Sequence, residues 1–304
     1  MGRTVSTVMT GLLSALLFGL AGCGGGGSDA NSGYKGNVTQ ATVTAGNAKA
    51  VSVDAVNGVQ NVAAVGVLKS AAGTAENTPL IQSVARIFEN SVSRISPKAV
   101  VAKTAADVVQ GTEFGFSGFY SYAANGNQTT GAVSGTITFT AYKEFSYSPV
   151  ISGTISFSAL ANTTTGNLIN ASISFSSVTI ATAAQSSTIN GSISMSITAT
   201  GSTLNISAVR LDNATSNTYW AKDFSFVLTG NTMTINGTYF DHVHGYVVVT
   251  TVTPLTVSAY SSTPTAGKLL FTGSRGTKAQ LTYTISGYIL EVDTAGNNSF
   301  VLVP

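Results

Sequence analysis

Four short stretches in the middle of the chain repeat one pattern: Gly135-Thr-Ile-Thr-Phe-Thr140, Gly153-Thr-Ile-Ser-Phe-Ser158, Ala171-Ser-Ile-Ser-Phe-Ser176 and Gly191-Ser-Ile-Ser-Met-Ser196. In each of them large apolar residues alternate with serine or threonine. Because successive side chains of a β-strand point to opposite faces, this alternation predicts strands with one buried face and one face in water. The residues that we expect in the core are Ile137, Phe139, Ile155, Phe157, Ile173 and Phe175.

The two-residue period continues from Gly111 to the end of the chain, with turn signals such as Asn125-Gly126 and Gly230-Asn231 between the strands. Residues 111–304 are therefore predicted to form a mainly β domain. We expect an antiparallel meander, either an up-and-down barrel or an open curled sheet. The repeated isoleucines lie 18, 18 and 20 residues apart, which leaves a parallel β-solenoid as one alternative. A transmembrane barrel is another, since its strands alternate as well.

Residues 37–110 have a different, mixed pattern. Residues 38–44 predict a short strand, and Asn47 is a candidate cap for a small helix that ends before Gly58. A longer amphipathic helix is predicted over residues 79–96, where apolar residues recur at three- and four-residue intervals. We expect this second helix to pack on the sheet or to cover one of its ends.

The composition is poor in charge. Charged residues make up 9% of the sequence and the formal net charge is +2, whereas an average soluble protein is about 25% charged. Serine, threonine, asparagine and glycine supply the polar surface instead. Without a strong electrostatic field, the chain has little to attract nucleic acid or anionic substrates. We expect no nucleic-acid partner and no cofactor.

Leu20-Ala21-Gly22-Cys23 closes a short apolar stretch at the start of the chain, and Cys23 is the only cysteine. The apolar run over residues 8–20 follows one positive charge, Arg3, and is too short to cross a bilayer comfortably. A flexible spacer, Gly24-Gly25-Gly26-Gly27-Ser28, comes next. The arrangement resembles the lipobox of bacterial lipoproteins. An ordinary secretory signal and a buried apolar helix are the alternatives.

The resemblance implies that residues 1–22 are a signal peptide that is removed and that Cys23 becomes the first, lipidated residue. In the family the cysteine carries diacylglycerol on its thiol and an acyl chain such as palmitate on its amino group, and two or more chains anchor a protein stably. Residues 23–36 would be a flexible tether. A residue other than aspartate after the cysteine usually permits transport to the outer membrane, and Gly24 holds that position. The expected location is the outer membrane.

A pair of histidines is the first candidate for chemistry. His242 and His244 are the only histidines, and on a strand residues two apart share a face, so both imidazoles could reach one metal ion. Asp241 would point to the other face, and no further ligand completes the set. We interpret the pair as polar residues on the wet face of a strand and assign no metal site.

Two other segments are candidates for binding. Residues 291–298 could form a calcium loop, but Ala295 stands where a second acidic ligand is needed and a hairpin turn is preferred. A cluster of aromatic residues near the start of the β domain could stack on sugars. We prefer the interpretation that these residues line the buried face of a strand. This group consists of Phe114, Phe116, Phe119, Tyr120 and Tyr122.

A second resemblance covers residues 220–303. It is carried by Tyr219-Trp220-Ala-Lys222, Gly237-Thr-Tyr-Phe240, His244-Gly-Tyr246, Pro254-Leu255, Gly267-Lys-Leu-Leu-Phe-Thr-Gly273, Gly276-Thr-Lys278 and Val292-Asp293-Thr294. This part is similar to a module of uncharacterised exported bacterial lipoproteins. Relatives often have an Asp-rich turn near the end, from which Ala295 and Asn297 depart. The module implies a β-rich fold and an exported location, and no activity.

No catalytic motif is recognisable: the serines lack a Gly-x-Ser-x-Gly elbow and the acidic residues are scattered singly. We therefore expect a non-enzymatic lipoprotein, held in the membrane through Cys23, that binds polysaccharide, lipid or protein or has a structural role. One alternative is a carrier of lipid or another small apolar ligand inside a barrel. The other is a hydrolase that uses His242 or His244.

Overall fold

The computed structural model describes residues 33–63, 107–127, 129–164, 168–258 and 261–304. Over these ranges the chain forms one α-helix, α1 (Ala48–Ala63), and a single sheet of 14 strands. The strands are β1 (Asp107–Phe114), β2 (Ser117–Gly126), β3 (Ala132–Lys143), β4 (Val150–Ala161), β5 (Leu168–Ala181), β6 (Ser186–Ile197), β7 (Gly201–Asp212), β8 (Thr218–Thr229), β9 (Thr232–Asp241), β10 (Gly245–Ser258), β11 (Ser261–Thr272), β12 (Lys278–Thr284), β13 (Gly287–Asp293) and β14 (Val301–Leu302).

The order of strands in the sheet is their order in the chain, and every neighbouring pair is antiparallel. The predicted antiparallel meander is confirmed, and the parallel solenoid is excluded. β1 and β14 stand at opposite edges of the sheet and are not paired with each other, so the sheet is open and curled rather than closed. The repeat of 18 to 20 residues corresponds to one strand and one turn.

The predicted register is confirmed. Ile137, Phe139, Ile155, Phe157, Ile173 and Phe175 are all buried. The alternating hydroxyl residues, among them Thr138, Ser156 and Ser174, are exposed. A shift of one residue would exchange the two faces, so the alternation of isoleucine and phenylalanine with serine determines which face packs inward.

A β-bulge bends the sheet where β5 meets β6. The pairing passes from Phe175–Gly191 to Val178–Ile189, which leaves an extra residue in β5. Within the bulge Ser177 has φ +54°, and its backbone N–H donates to Oδ1 of Asn190 at 2.7 Å. A Cβ on Gly191 would lie 2.3 Å from the carbonyl oxygen of Ser207. The glycine of the repeat therefore lets the strands approach closely where the sheet bends.

α1 packs against the inner, apolar face of the sheet, where it contacts β7, β9, β12 and β13. Val51, Ala55 and Val56 are buried and belong to the same apolar cluster as the inner faces of the strands. The helix was predicted to end before Gly58 and instead continues to Ala63. A single glycine lowers helix propensity by about 1 kcal/mol, which does not by itself end a helix.

The segment before α1 passes from one face of the sheet to the other. Tyr34 packs on the outer face, whereas Ala41 and Val43 belong to the inner core. Between them, Gln40 forms a single parallel bridge with Tyr246 of β10. The predicted strand at 38–44 is thus reduced to one bridge in the plane of the sheet.

Of two predictions about the N-terminal part, one can be compared with the structure and the other cannot. Residues 33–36, grouped with the tether in the sequence, include the buried Tyr34. Its hydroxyl donates to the carbonyl oxygen of Asp241 at 2.9 Å. The amphipathic helix predicted at 79–96 lies outside the described residues.

Candidate functional site

The most regular surface of the molecule is the outer face of the central strands. A cross-strand row places one small polar residue on each of eight consecutive strands, β2 to β9, in direct register. The row consists of Asn125, Ser134, Ser158, Ser172, Ser194, Asn205, Ser225 and Asn236. All of them are exposed except Ser225, which is half-buried.

A second row lies beside the first on β3 to β7. It consists of Thr136, Ser156, Ser174, Ser192 and Ser207. We call the two rows together the hydroxyl face. Neighbouring strands place the side chains about 4.8 Å apart, and the rows are separated by about 6.8 Å along each strand. None of these residues carries a charge.

The hydroxyl face offers many hydrogen-bonding groups and no charge. Serine hydroxyls and asparagine amides each both donate and accept. A nucleophilic serine needs a base within hydrogen-bond reach. Both histidines of the chain follow the end of β9, and His242 is six residues from Asn236, which is about 20 Å along a strand. The two rows therefore present hydrogen-bond donors and acceptors to a partner, and the two histidines lie beyond the end of β9.

The two histidines lie on the β9–β10 turn rather than on a strand, contrary to the sequence interpretation. Nδ1 of His242 accepts a hydrogen bond from the backbone N–H of Thr218 at 3.2 Å. Asp241 Oδ1 accepts from the backbone N–H groups of Val243 and His244 at 3.0 and 2.9 Å. Among the described residues, no group of three His, Cys, Asp or Glu side chains is placed to hold a metal ion.

Residues 291–293 end β13, and residues 294–300 form the loop of a hairpin between β13 and β14, in agreement with the preferred hairpin interpretation. Asp293 is buried, and its carboxylate accepts four backbone N–H bonds, from Ala295, Gly296, Asn297 and Asn298. Burial raises the pKa of Asp293, but the four hydrogen bonds outweigh burial and hold this pKa below its usual value. Three of these bonds reach Oδ1 and one reaches Oδ2, so the carboxylate is held by the backbone of its own loop.

The sequence did not predict the role of the aspartates at the ends of β7, β9 and β13. Asp212, Asp241 and Asp293 each end an odd-numbered strand and accept backbone N–H groups of the following turn. Three scattered aspartates thus have one structural role. An aspartate directly after an alternating run is the signal that could have identified it.

The aromatic residues near β1 and β2 divide into two groups. Tyr120 is buried in the core, as the preferred interpretation predicts, and Tyr122 packs against that core. Phe114 and Phe116 are 78% and 68% exposed. Beside them, on the β3–β4 turn, Phe145 and Tyr147 are 41% and 59% exposed. We call these four exposed residues the aromatic corner.

A second aromatic cluster covers the outer face at the β7–β10 end of the hydroxyl face. Trp220 stacks on Phe240 with ring centroids 4.6 Å apart, and Tyr34 packs on both rings. Val209 and Tyr246 complete the cluster. Trp220 Nε1 is buried and has no hydrogen-bond partner among the described residues. The cluster attaches the start of the described chain to the sheet.

A narrow gap lies between α1 and the sheet. Its lining is apolar and includes Ala55, Val56, Phe226 and Phe271. No part of this gap is wide enough for a water molecule. In this part of the chain the inner face is therefore filled by the protein's own side chains.

The lipidation candidate Cys23 lies outside the described residues. No helix among the described residues is long and apolar enough to cross a membrane. No known protein family, curated protein or solved structure matches this chain. The two resemblances to bacterial lipoproteins therefore stay predictions.

Proposed function

We propose that this chain is a lipid-anchored protein of the bacterial outer membrane, facing away from the cytoplasm, with a binding or structural role rather than an enzymatic one. The lipobox ending at Cys23 supports the location. The observation that carries the role is the row of eight polar residues in register across β2 to β9.

Polysaccharide is the partner that best fits the chemistry of the hydroxyl face. Sugar hydroxyls donate and accept hydrogen bonds, as serine hydroxyls and asparagine amides do. The rows repeat at a regular spacing and carry no charge, so they suit a neutral polymer with repeating hydroxyls. Each contact is weak, but several contacts along one polymer add up.

A carrier of apolar ligands is less well supported. Such a protein needs an internal pocket, typically of at least about 300 Å³. The gap beside α1 is too narrow to hold a water molecule.

A hydrolase is also less well supported. His242 Nδ1 already accepts the Thr218 backbone N–H, and the serines of the hydroxyl face are remote from both histidines. Geometry that brings a base to a nucleophile is required for that chemistry.

The polysaccharide proposal is tested by sedimentation of the purified chain with an insoluble neutral glucan and with envelope polysaccharide of the producing cell. Ser158, Ser172 and Ser194 are replaced together by alanine. Loss of three hydrogen bonds, each worth about 0.5 kcal/mol or more, weakens binding about tenfold. The matched control replaces three exposed turn residues, Ser286, Thr294 and Ser299, by alanine and keeps full binding.

Two results would contradict polysaccharide binding. The unchanged chain would not sediment with either polymer, or the two triple variants would bind equally well.

A further inference from the structure

We propose that the aromatic corner, Phe114, Phe116, Phe145 and Tyr147, docks into the interface of the bilayer that carries the lipid anchor. The inference rests on the proposed anchor at Cys23 and adds a second, non-covalent contact that orients the sheet. The four rings are exposed, and they lie at the end of the sheet where the described chain begins.

The four rings lie on two adjoining turns. The Phe116 backbone N–H donates to the carbonyl oxygen of Glu144 at 3.4 Å, which joins the β1–β2 turn to the β3–β4 turn. Phe145 and Tyr147 stack with ring centroids 5.4 Å apart. Large exposed rings on neighbouring turns are uncommon on a surface that faces only water, and such patches mark interaction sites.

The surroundings favour the interface of a membrane over a charged partner. Lys143 Nζ lies 5.9 Å from the centre of the Phe116 ring, where an ammonium group can meet lipid phosphate. Glu113 and Glu144 are close in sequence, so the corner has no excess of positive charge. Aromatic rings prefer the headgroup region of a bilayer even without electrostatic attraction.

The corner lies at the same end of the sheet as the start of the described chain. In an antiparallel meander alternate turns share an end, so the β1–β2, β3–β4, β7–β8 and β9–β10 turns lie together. Near that end Lys35 N–H donates to Thr218 Oγ1, and Asn37 N–H donates to the carbonyl oxygen of His242, both at 2.9 Å. The chain therefore enters the fold at the end that carries the aromatic corner.

The length of the tether permits both contacts at once. Gly33 is ten residues after Cys23, and ten residue-to-residue steps span at most about 35 Å. β8 and β2 are six strand spacings apart, which is about 29 Å along the sheet. Because the sheet is curled, the straight-line distance between them is shorter. A lipidated Cys23 can thus lie in the bilayer that the aromatic corner touches.

The test uses a spin label on the full lipidated chain in phosphatidylcholine and phosphatidylethanolamine vesicles. Since Cys23 is the only cysteine and its thiol would be blocked by lipid, an introduced cysteine is labelled alone. Ser117→Cys places the label beside the aromatic corner, and Asn231→Cys places it at the opposite end of the sheet. On vesicles, the label at position 117 should lose contact with a water-soluble nickel relaxant and gain contact with oxygen, also at high salt. The label at position 231 should do neither.

A variant of the corner separates docking from anchoring. Replacing Phe114, Phe116, Phe145 and Tyr147 by serine should return the label at position 117 to water, while the chain still floats with the vesicles. A chain that floats with an unprotected label at position 117 overturns docking and leaves the anchor intact. Protection of that label without vesicles, or only by added polysaccharide, overturns docking as well. A chain that does not float overturns both proposals.

Discussion

At the scale of single residues, Tyr34 is the contact that fastens the start of the described chain to the sheet. Its ring covers Trp220 and Phe240, and its hydroxyl donates to the Asp241 carbonyl oxygen. Burial raises the pKa of Tyr34 well above its usual value. The side chain is 9% exposed, so the ring is held in a largely apolar site.

We predict that Tyr34→Ala uncovers Trp220 and destabilises the fold by about 3 kcal/mol, the usual cost of truncating a buried aromatic side chain. Trp220 is the only tryptophan, so its fluorescence emission should move to longer wavelength as water reaches the indole. Tyr147→Ala is the control, because Tyr147 is exposed at the aromatic corner. An unchanged emission maximum in Tyr34→Ala would show that Tyr34 does not cover Trp220.

Asp293 should make stability depend on pH. Its pKa is lowered in the folded state, so its contribution is present above its unfolded pKa of about 3.9 and is lost as the pH falls through the lower folded value. Asp293→Asn keeps one acceptor oxygen and removes the charge. We expect the variant to be less stable than the unchanged chain at pH 7 and to lose less stability between pH 5 and pH 2. Parallel acid-unfolding curves for the two proteins would contradict this role.

At the scale of elements, the strands were predictable because their signal is local. Alternation of isoleucine and phenylalanine with serine determines the buried face of a strand without reference to the rest of the chain. The paths of irregular segments were not predictable in this way. Tyr34 finds its partner 207 residues away, and no local pattern encodes such a contact.

The turn predicted at Asn125-Gly126 was wrong. Asn125-Gly126 predicts a turn, yet both residues lie in β2 and pair with Ser134 and Val133 of β3. The reversal comes next, where Asn127 Oδ1 accepts the backbone N–H groups of Thr129 and Thr130. Asparagine side chains that bond to the backbone two residues later form turns as readily as an Asn-Gly pair.

We predict that Gly245→Ala displaces the segment that passes through the sheet. Gly245 has φ +89°, and a Cβ there would lie 2.0 Å from the carbonyl oxygen of Thr39. The variant should lose more than about 3 kcal/mol of stability through strain and the broken contact. It should also expose the backbone around Gln40 to hydrogen exchange.

Gly230→Ala is the matched control. Gly230 also has a positive φ, +57°, but nothing lies within 4 Å of the added carbon. It should cost only about 1 kcal/mol, the strain of an alanine in a left-handed conformation. Equal losses in the two variants would show that residues 39–41 are not held by β10.

At the scale of the whole molecule, the open sheet has one apolar face around α1 and one mainly polar face whose two central rows carry no charge. The rows could be recognised only from the pairing of the strands, because Asn205, Ser225 and Asn236 belong to strands without the repeated sequence. The composition had indicated a hydroxyl-rich surface, but not that its members form rows. The proposed partner follows from this arrangement, and the proposed location follows from the N-terminal sequence.

The lipid anchor on Cys23 is the central claim, since both the location and the docking of the aromatic corner depend on it. Mass spectrometry of the N-terminal peptide from the native cell's membrane fraction tests it most directly. We expect the mature chain to begin at Cys23, with a diacylglyceryl thioether and an acylated amino group. We also expect Cys23→Ser to release unacylated protein from the membrane. A mature chain with an unmodified thiol, or a Cys23→Ser variant that stays in the membrane fraction, would contradict this claim.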